Sequence, residues 1–109
     1  MIINDVFNNT DIPVKESHFL KPPSDVYMVY LDDVTTYGPD GINSIYFHDY
    51  ALEVYEPYKN DEAIAKIEKA LNTAGVEWTK SGRTWLTDEQ RYMTVYNFGT
   101  TEKRGIKNE

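Results

Sequence analysis

The chain has 109 residues, enough for one domain with one core, and 40% hydrophobic with 27% charged residues excludes a disordered polymer. Its formal net charge of −7 repels phosphate backbones and anionic lipid, so neither sequence-independent nucleic-acid binding nor membrane attachment is expected, and no sequence-specific nucleic-acid partner is expected either. The absence of cysteine excludes a disulfide scaffold, a thiolate metal site and a cysteine nucleophile. The start, MIINDVFNN, has no basic opening, no long apolar run and no cleavage site, and does not read as a signal peptide. No window reaches the length of a membrane span.

In chain order, Ile2, Ile3, Val6 and Phe7 recur at helical spacing and predict a short helix ending at Asn8–Asn9. Pro13 opens an extended piece that Pro22-Pro23 breaks. Residues 26–31, VYMVYL, read as a strand apolar on both faces, covered twice or covered once and met by another subunit. Residues 32–43, DDVTTYGPDGIN, predict a loop with its strongest turn signal at 38–41. From Ser44 a strand runs to Tyr55, with Tyr50, Leu52 and Val54 on one face and Ala51, Glu53 and Tyr55 on the other. The apolar phase shifts before Asp49, which predicts a bulge near His48.

Residues 60–75, NDEAIAKIEKALNTAG, carry the clearest signal: an amphipathic helix about 21 Å long. Ile64, Ile67, Leu71 and Ala74 form its apolar stripe, Asn60 or Asp61 can cap it, and Gly75 can leave it in a left-handed turn. Short strands follow around Val76-Trp78 and 84–86, with a turn at Ser81-Gly82. The last strand, 91–98, places Tyr92, Tyr96 and Phe98 on one side and Met93 and Val95 on the other. The expected architecture is α+β, two helices packed on one face of a mainly antiparallel β-sheet. Residues 1–98 are read as a single domain and 99–109 as a mobile tail.

No constellation carries catalysis. His18 and His48 lie on separate segments without a second ligand at metal-binding spacing. Asp32, Asp33 and Asp40 lack the pattern of a calcium loop. Asp49, Glu53 and Glu56 lie near one strand with no cleft to desolvate an acid. Residues 80–83, KSGR, lack the order of a phosphate loop. The chain is therefore read as no enzyme, with no cofactor and no metal. The tyrosines are more informative: Tyr27, Tyr30, Tyr46, Tyr50, Tyr55, Tyr92 and Tyr96 all fall on predicted strands, where they serve either sheet packing or contact with other protein.

The segments PPSDVYMVYLDD, DYALEVYEPYKNDEAIAKIEKALNTAGVEW and RYMTVYNF, spanning most of residues 18–98, resemble small tail completion proteins of long-tailed phages and prophages of Gram-positive bacteria. These are also called tail terminator, head–tail joining or minor capsid proteins. The resemblance implies a fold similar to lambda-type tail terminators and a ring, usually a hexamer, at the head-proximal end of the tail tube. Such a ring stops tube growth and meets the head-completion, or stopper, protein of the connector. It implies a virion location after assembly in the host cytoplasm, with a DNA duplex crossing the lumen. An acidic lining would let that duplex slide.

TTYGPDGINSIYF departs from the family pattern, so partner contacts are not carried over there. Candidate interface residues are Tyr27, Tyr30, Asp32, Asp33, Tyr37, Asp40, Tyr55, Tyr92 and Tyr96. The alternative reading is a small acidic adaptor or inhibitor module binding a host protein.

Overall fold

A computed structural model describes residues 2–38 and 45–103. The elements are α1 (Ile3–Val6), β1 (Val14–Glu16), β2 (Tyr27–Tyr37), β3 (Ile45–Glu56), α2 (Asp61–Thr73), β4 (Trp78–Lys80), β5 (Thr84–Leu86) and β6 (Arg91–Lys103). The sheet order is β1-β2-β3-β6-β4, with β5 also on β6. Only the β1–β2 pair is parallel, so this is an α+β fold with a mostly antiparallel sheet and two helices.

α2 forms for the reasons its sequence predicts. The Asn60 side chain accepts the Ala63 N–H at 3.1 Å, which satisfies an otherwise orphaned donor of the first turn. Ala63, Ile67 and Leu71 are buried, Ile64 packs half-buried beside them, and Gly75 leaves the helix at φ 79°. Ala74, read as part of the apolar stripe, is instead the exposed cap residue. α1 is shorter than predicted. The Thr10 hydroxyl donates to the Phe7 carbonyl at 2.7 Å and accepts the Ile12 N–H, and that local alternative to helix turns the chain back. Ile3 and Phe7 still reach the core.

The core lies between the helices and the even-numbered face of the strands, with Met28, Leu52, Val54 and Tyr96 fully buried. The predicted faces of β3 and β6 hold: Tyr50, Leu52 and Val54 share the helix side with Tyr96 and Phe98. The predicted bulge is overturned. Pairing runs without interruption from Tyr27↔Tyr55 to Tyr37↔Ile45, and from Glu56↔Tyr92 to Ile45↔Lys103. The apparent phase shift arises because Ile45 and Phe47 are apolar residues on the face away from the helices.

Two further boundaries are corrected. Residues 32–37 are strand, not loop, and 99–103 extend β6 rather than forming a tail. Each is paired with the first half of β3. The turn signal at 38–41 lies mostly outside the described residues, as do 104–109. The 13 residues of β6 span roughly 44 Å, while the 13 of α2 span roughly 20 Å. The helix therefore covers about half of the sheet. Beyond it, β2, β3 and β6 continue as a three-stranded arm, and the described protein measures 52 × 27 × 24 Å.

Candidate functional site

The arm is built from sequence too polar to make a core. On its helix-free face the register aligns Leu31 with Ala51 and Asn97, Asp33 with Asp49 and Gly99, and Thr35 with Phe47 and Thr101. Leu31, Tyr37 and Phe47 on this face are 47%, 52% and 42% exposed, large apolar side chains left in water along the arm, with the Asp33–Asp49 row between Leu31 and the other two. Val34, 48% exposed, lies on the opposite face beyond the helices. A Cβ at Gly99 would meet the Phe47 ring and the His48 carbonyl oxygen at 3.3 Å, so the glycine makes the space in which that ring lies.

Asp33 and Asp49 occupy directly opposed positions on this face, both exposed. No ion pair or side-chain hydrogen bond is formed by either among the described residues. Like charges placed opposite one another in an antiparallel pair disfavour the pairing.

The structure divides the remaining predicted interface residues into different environments. Tyr27 and Tyr55 stack at 5.0 Å on the outer face of the base, under Phe19 and the Arg91 guanidinium, which lies 5.1 Å from the Tyr27 ring. Arg91 also donates to the carbonyls of Pro23, Ser24 and Asp25. The segment between β1 and β2 is thereby held against the outer face and covers it there. Burial first, then the hydrogen bond to the Glu53 carboxylate, push the Tyr55 hydroxyl well above the usual tyrosine value.

Tyr30 faces the helix side, edge-on to Tyr50. Tyr92 packs edge-on against the exposed Trp85, with the Lys59 ammonium 5.5 Å from its ring. Tyr96 is fully buried and donates to Glu68 at 2.7 Å, so its contribution is to the core rather than to a surface. Asp40 lies outside the described residues.

Asp32 points to the helix side, opposite in face to Asp33, and there it meets His48. The His48 Nδ1 lies 3.0 Å from both Asp32 carboxylate oxygens, and Nε2 lies 3.2 Å from Glu102 Oε1. One imidazole thus ties all three strands of the arm together, with its ring parallel to Tyr50. These groups, with Ile2, Ile3, Glu16 and Tyr30, line an open cavity of about 340 Å³. In the sequence alone His48 reads as an isolated strand-surface residue, because its partners sit 16 and 54 positions away. The hairpin register alone would have brought Asp32 and His48 to one face.

Asp49, Glu53 and Glu56 diverge. Asp49 and Glu53 face away from the helices, while Glu56 is fully buried on the helix side. Arg83 holds it in a two-pronged pair, Nε to Oε1 at 3.0 Å and Nη2 to Oε2 at 3.1 Å, and the Asn60 N–H adds a third bond at 2.8 Å. Among the described residues no group of His, Asp or Glu side chains is arranged to hold a metal ion, and no helix is long and apolar enough to cross a membrane. Compared with known protein families and with curated proteins, the chain matches none.

Proposed function

We propose that this chain is a structural assembly protein of the phage head-to-tail interface. It caps the tail tube as a ring, a hexamer by the resemblance of its sequence, and joins the tube to the head-completion protein of the connector. One observation carries the reading: a three-stranded arm extends beyond the helix-covered core and presents Leu31, Tyr37 and Phe47 to solvent beside the opposed Asp33 and Asp49. A face that keeps large apolar groups wet and two like charges side by side is poorly satisfied in an isolated chain, and a protein partner relieves both conditions.

The acidic lining of the lumen belongs to this reading in a modified form. With residues 32–37 in a strand, Asp32 is spent on His48, and Asp33 and Asp49 are the carboxylates free to face a neighbour or the duplex.

Light scattering on the chain alone, and mixed with purified tail-tube protein, tests the proposal. A ring-sized species in either sample is the expected result. A monomer in both overturns it and favours the adaptor reading.

A further inference from the structure

We propose that copies of this chain join edge to edge, the open edge of β2 in one copy accepting the open edge of β6 in the next, so that neighbouring arms share one continuous sheet. The inference rests on the self-assembling reading above and deepens it by naming the joint.

The backbone directions define both edges. Met28 N–H donates to the Pro13 carbonyl, and the Tyr30 carbonyl accepts from Ser17, so the even-numbered residues of β2 turn their backbone groups toward β1. β1 ends there, having paired only with residues 28–30. Beyond it, Val34 and Thr36 present N–H and C=O groups to a side where no strand of the described residues lies. On the other margin, Ser81 N–H donates to the Val95 carbonyl, so the odd-numbered residues of β6 turn outward. β4 covers only 96–98, which leaves Gly99, Thr101 and Lys103 with outward backbone groups and no strand of the described residues beside them.

Such unpaired backbone rows are templates for another strand. Among the described residues neither carries a proline or a bulge that would block pairing.

Three features select a second copy, joined head to tail. The two open stretches lie at the same height on the arm, because Thr35, Phe47 and Thr101 share one row. Both strands run from base to tip, so β6 of one copy meets β2 of the next in a parallel pair with helix faces aligned. Each added copy exposes a fresh β2 or β6 edge, which is the heterologous contact a ring requires, the ring forming where the rotation between copies closes. A two-fold β2–β2 pair would instead bring two acidic edges, each bearing Asp33, against one another.

The chain has no cysteine, so single introduced thiols report position cleanly. Thr35→Cys and Thr101→Cys lie on the same outer face, both exposed. Separately tagged variants are mixed under assembling conditions and treated with a short bis-maleimide, whose flexibility accommodates a two-residue stagger. A product carrying both tags is expected. A T35C–T35C product overturns the proposal in favour of a two-fold pair. A ring-sized species with no mixed product overturns the joint while leaving the ring reading intact, and monomers throughout overturn both.

Val34→Pro is the second test. It removes an N–H directed at the open edge and no internal ladder bond. Loss of the ring-sized species with unchanged circular dichroism is expected. An assembling V34P chain overturns the proposal.

Discussion

Asp33 and Asp49 stand directly opposite each other on β2 and β3, exposed on the helix-free face, with no cation beside them among the described residues. Each opposed pair of like charges costs the isolated sheet about 0.2–1 kcal/mol. Asp33→Asn or Asp49→Asn should therefore raise the stability of the free chain by that amount, measured by urea unfolding. The gain should shrink as salt screens the pair. If the pair is held for a partner, the same variants assemble less well, and a variant that is both more stable and fully competent removes the Asp33–Asp49 argument.

Glu56 and Arg83 are the buried joint of the base. The carboxylate is inaccessible and the guanidinium is 23% exposed, so removing Arg83 strands a charge under the sheet. Hydrogen bonds to Glu56 and then Asp61 raise the Arg83 pKa above its ordinary value, so the guanidinium stays charged. Arg83→Ala should cost on the order of 3–5 kcal/mol in denaturant unfolding. Asp61 is 91% exposed, and Asp61→Ala should cost less than about 1 kcal/mol despite its 2.8 Å contact with Arg83. Replacing both partners, as Glu56→Met with Arg83→Leu, should restore much of the loss.

What could be read from the residues follows from where burial, rather than pairing, holds the chain. α2 was legible to its cap and its Gly75 because helix signals are local. The faces of β3 and β6 were legible because Tyr50, Leu52, Val54, Tyr96 and Phe98 are core residues that alternate. The arm was not, since DDVTTY and GTTEK bury little and are held as strands by the ladder to residues 45–50. Its Val, Thr and Tyr residues favour strand, but Asp33 and Gly99 cancel that preference locally. The His48 and Arg83 contacts join residues far apart in the chain, and their spacing has no local signature.

Tyr96, Glu68 and Lys80 form a chain of hydrogen bonds from the core to the surface, 2.7 Å from the phenol to the carboxylate and 2.6 Å from the ammonium to the carboxylate. Partial burial alone would raise the Glu68 pKa, but the bonds from Lys80 and Tyr96, with the Lys80 charge, outweigh it and hold the group below the usual carboxylate value. A carboxyl with a depressed pKa in the fold contributes stability above its unfolded pKa and loses it as pH falls through the folded one. Stability should therefore decline below about pH 4.3, and Glu68→Gln should lessen that decline.

Tyr96 behaves oppositely: burial first, then its bond to Glu68, push the hydroxyl far above the tyrosine range. It stays a phenol in the folded state, and the stability it confers is lost as pH rises past the value of an unfolded tyrosine. Alkaline titration followed by ultraviolet absorbance should show Tyr96 ionising only with unfolding, together with Tyr55, so the step should be smaller by one phenol in Tyr96→Phe.

His48 controls the arm rather than the core. A neutral imidazole carries one N–H and can donate to either Asp32 or Glu102, while an imidazolium donates to both. In the first form the ring joins β3 to one neighbouring strand, in the second to both β2 and β6, where little apolar burial does so. His48→Ala should thus leave the cooperative melt nearly unchanged, because Leu52, Ile67 and Leu71 remain packed. Native-state amide exchange should quicken in residues 31–37 and 99–103, whose ladder bonds open by local rather than global unfolding. If those amides keep their protection, the ladder alone holds the arm and the imidazole is a passenger. If the whole melt falls by several degrees, the arm and the core unfold as one unit.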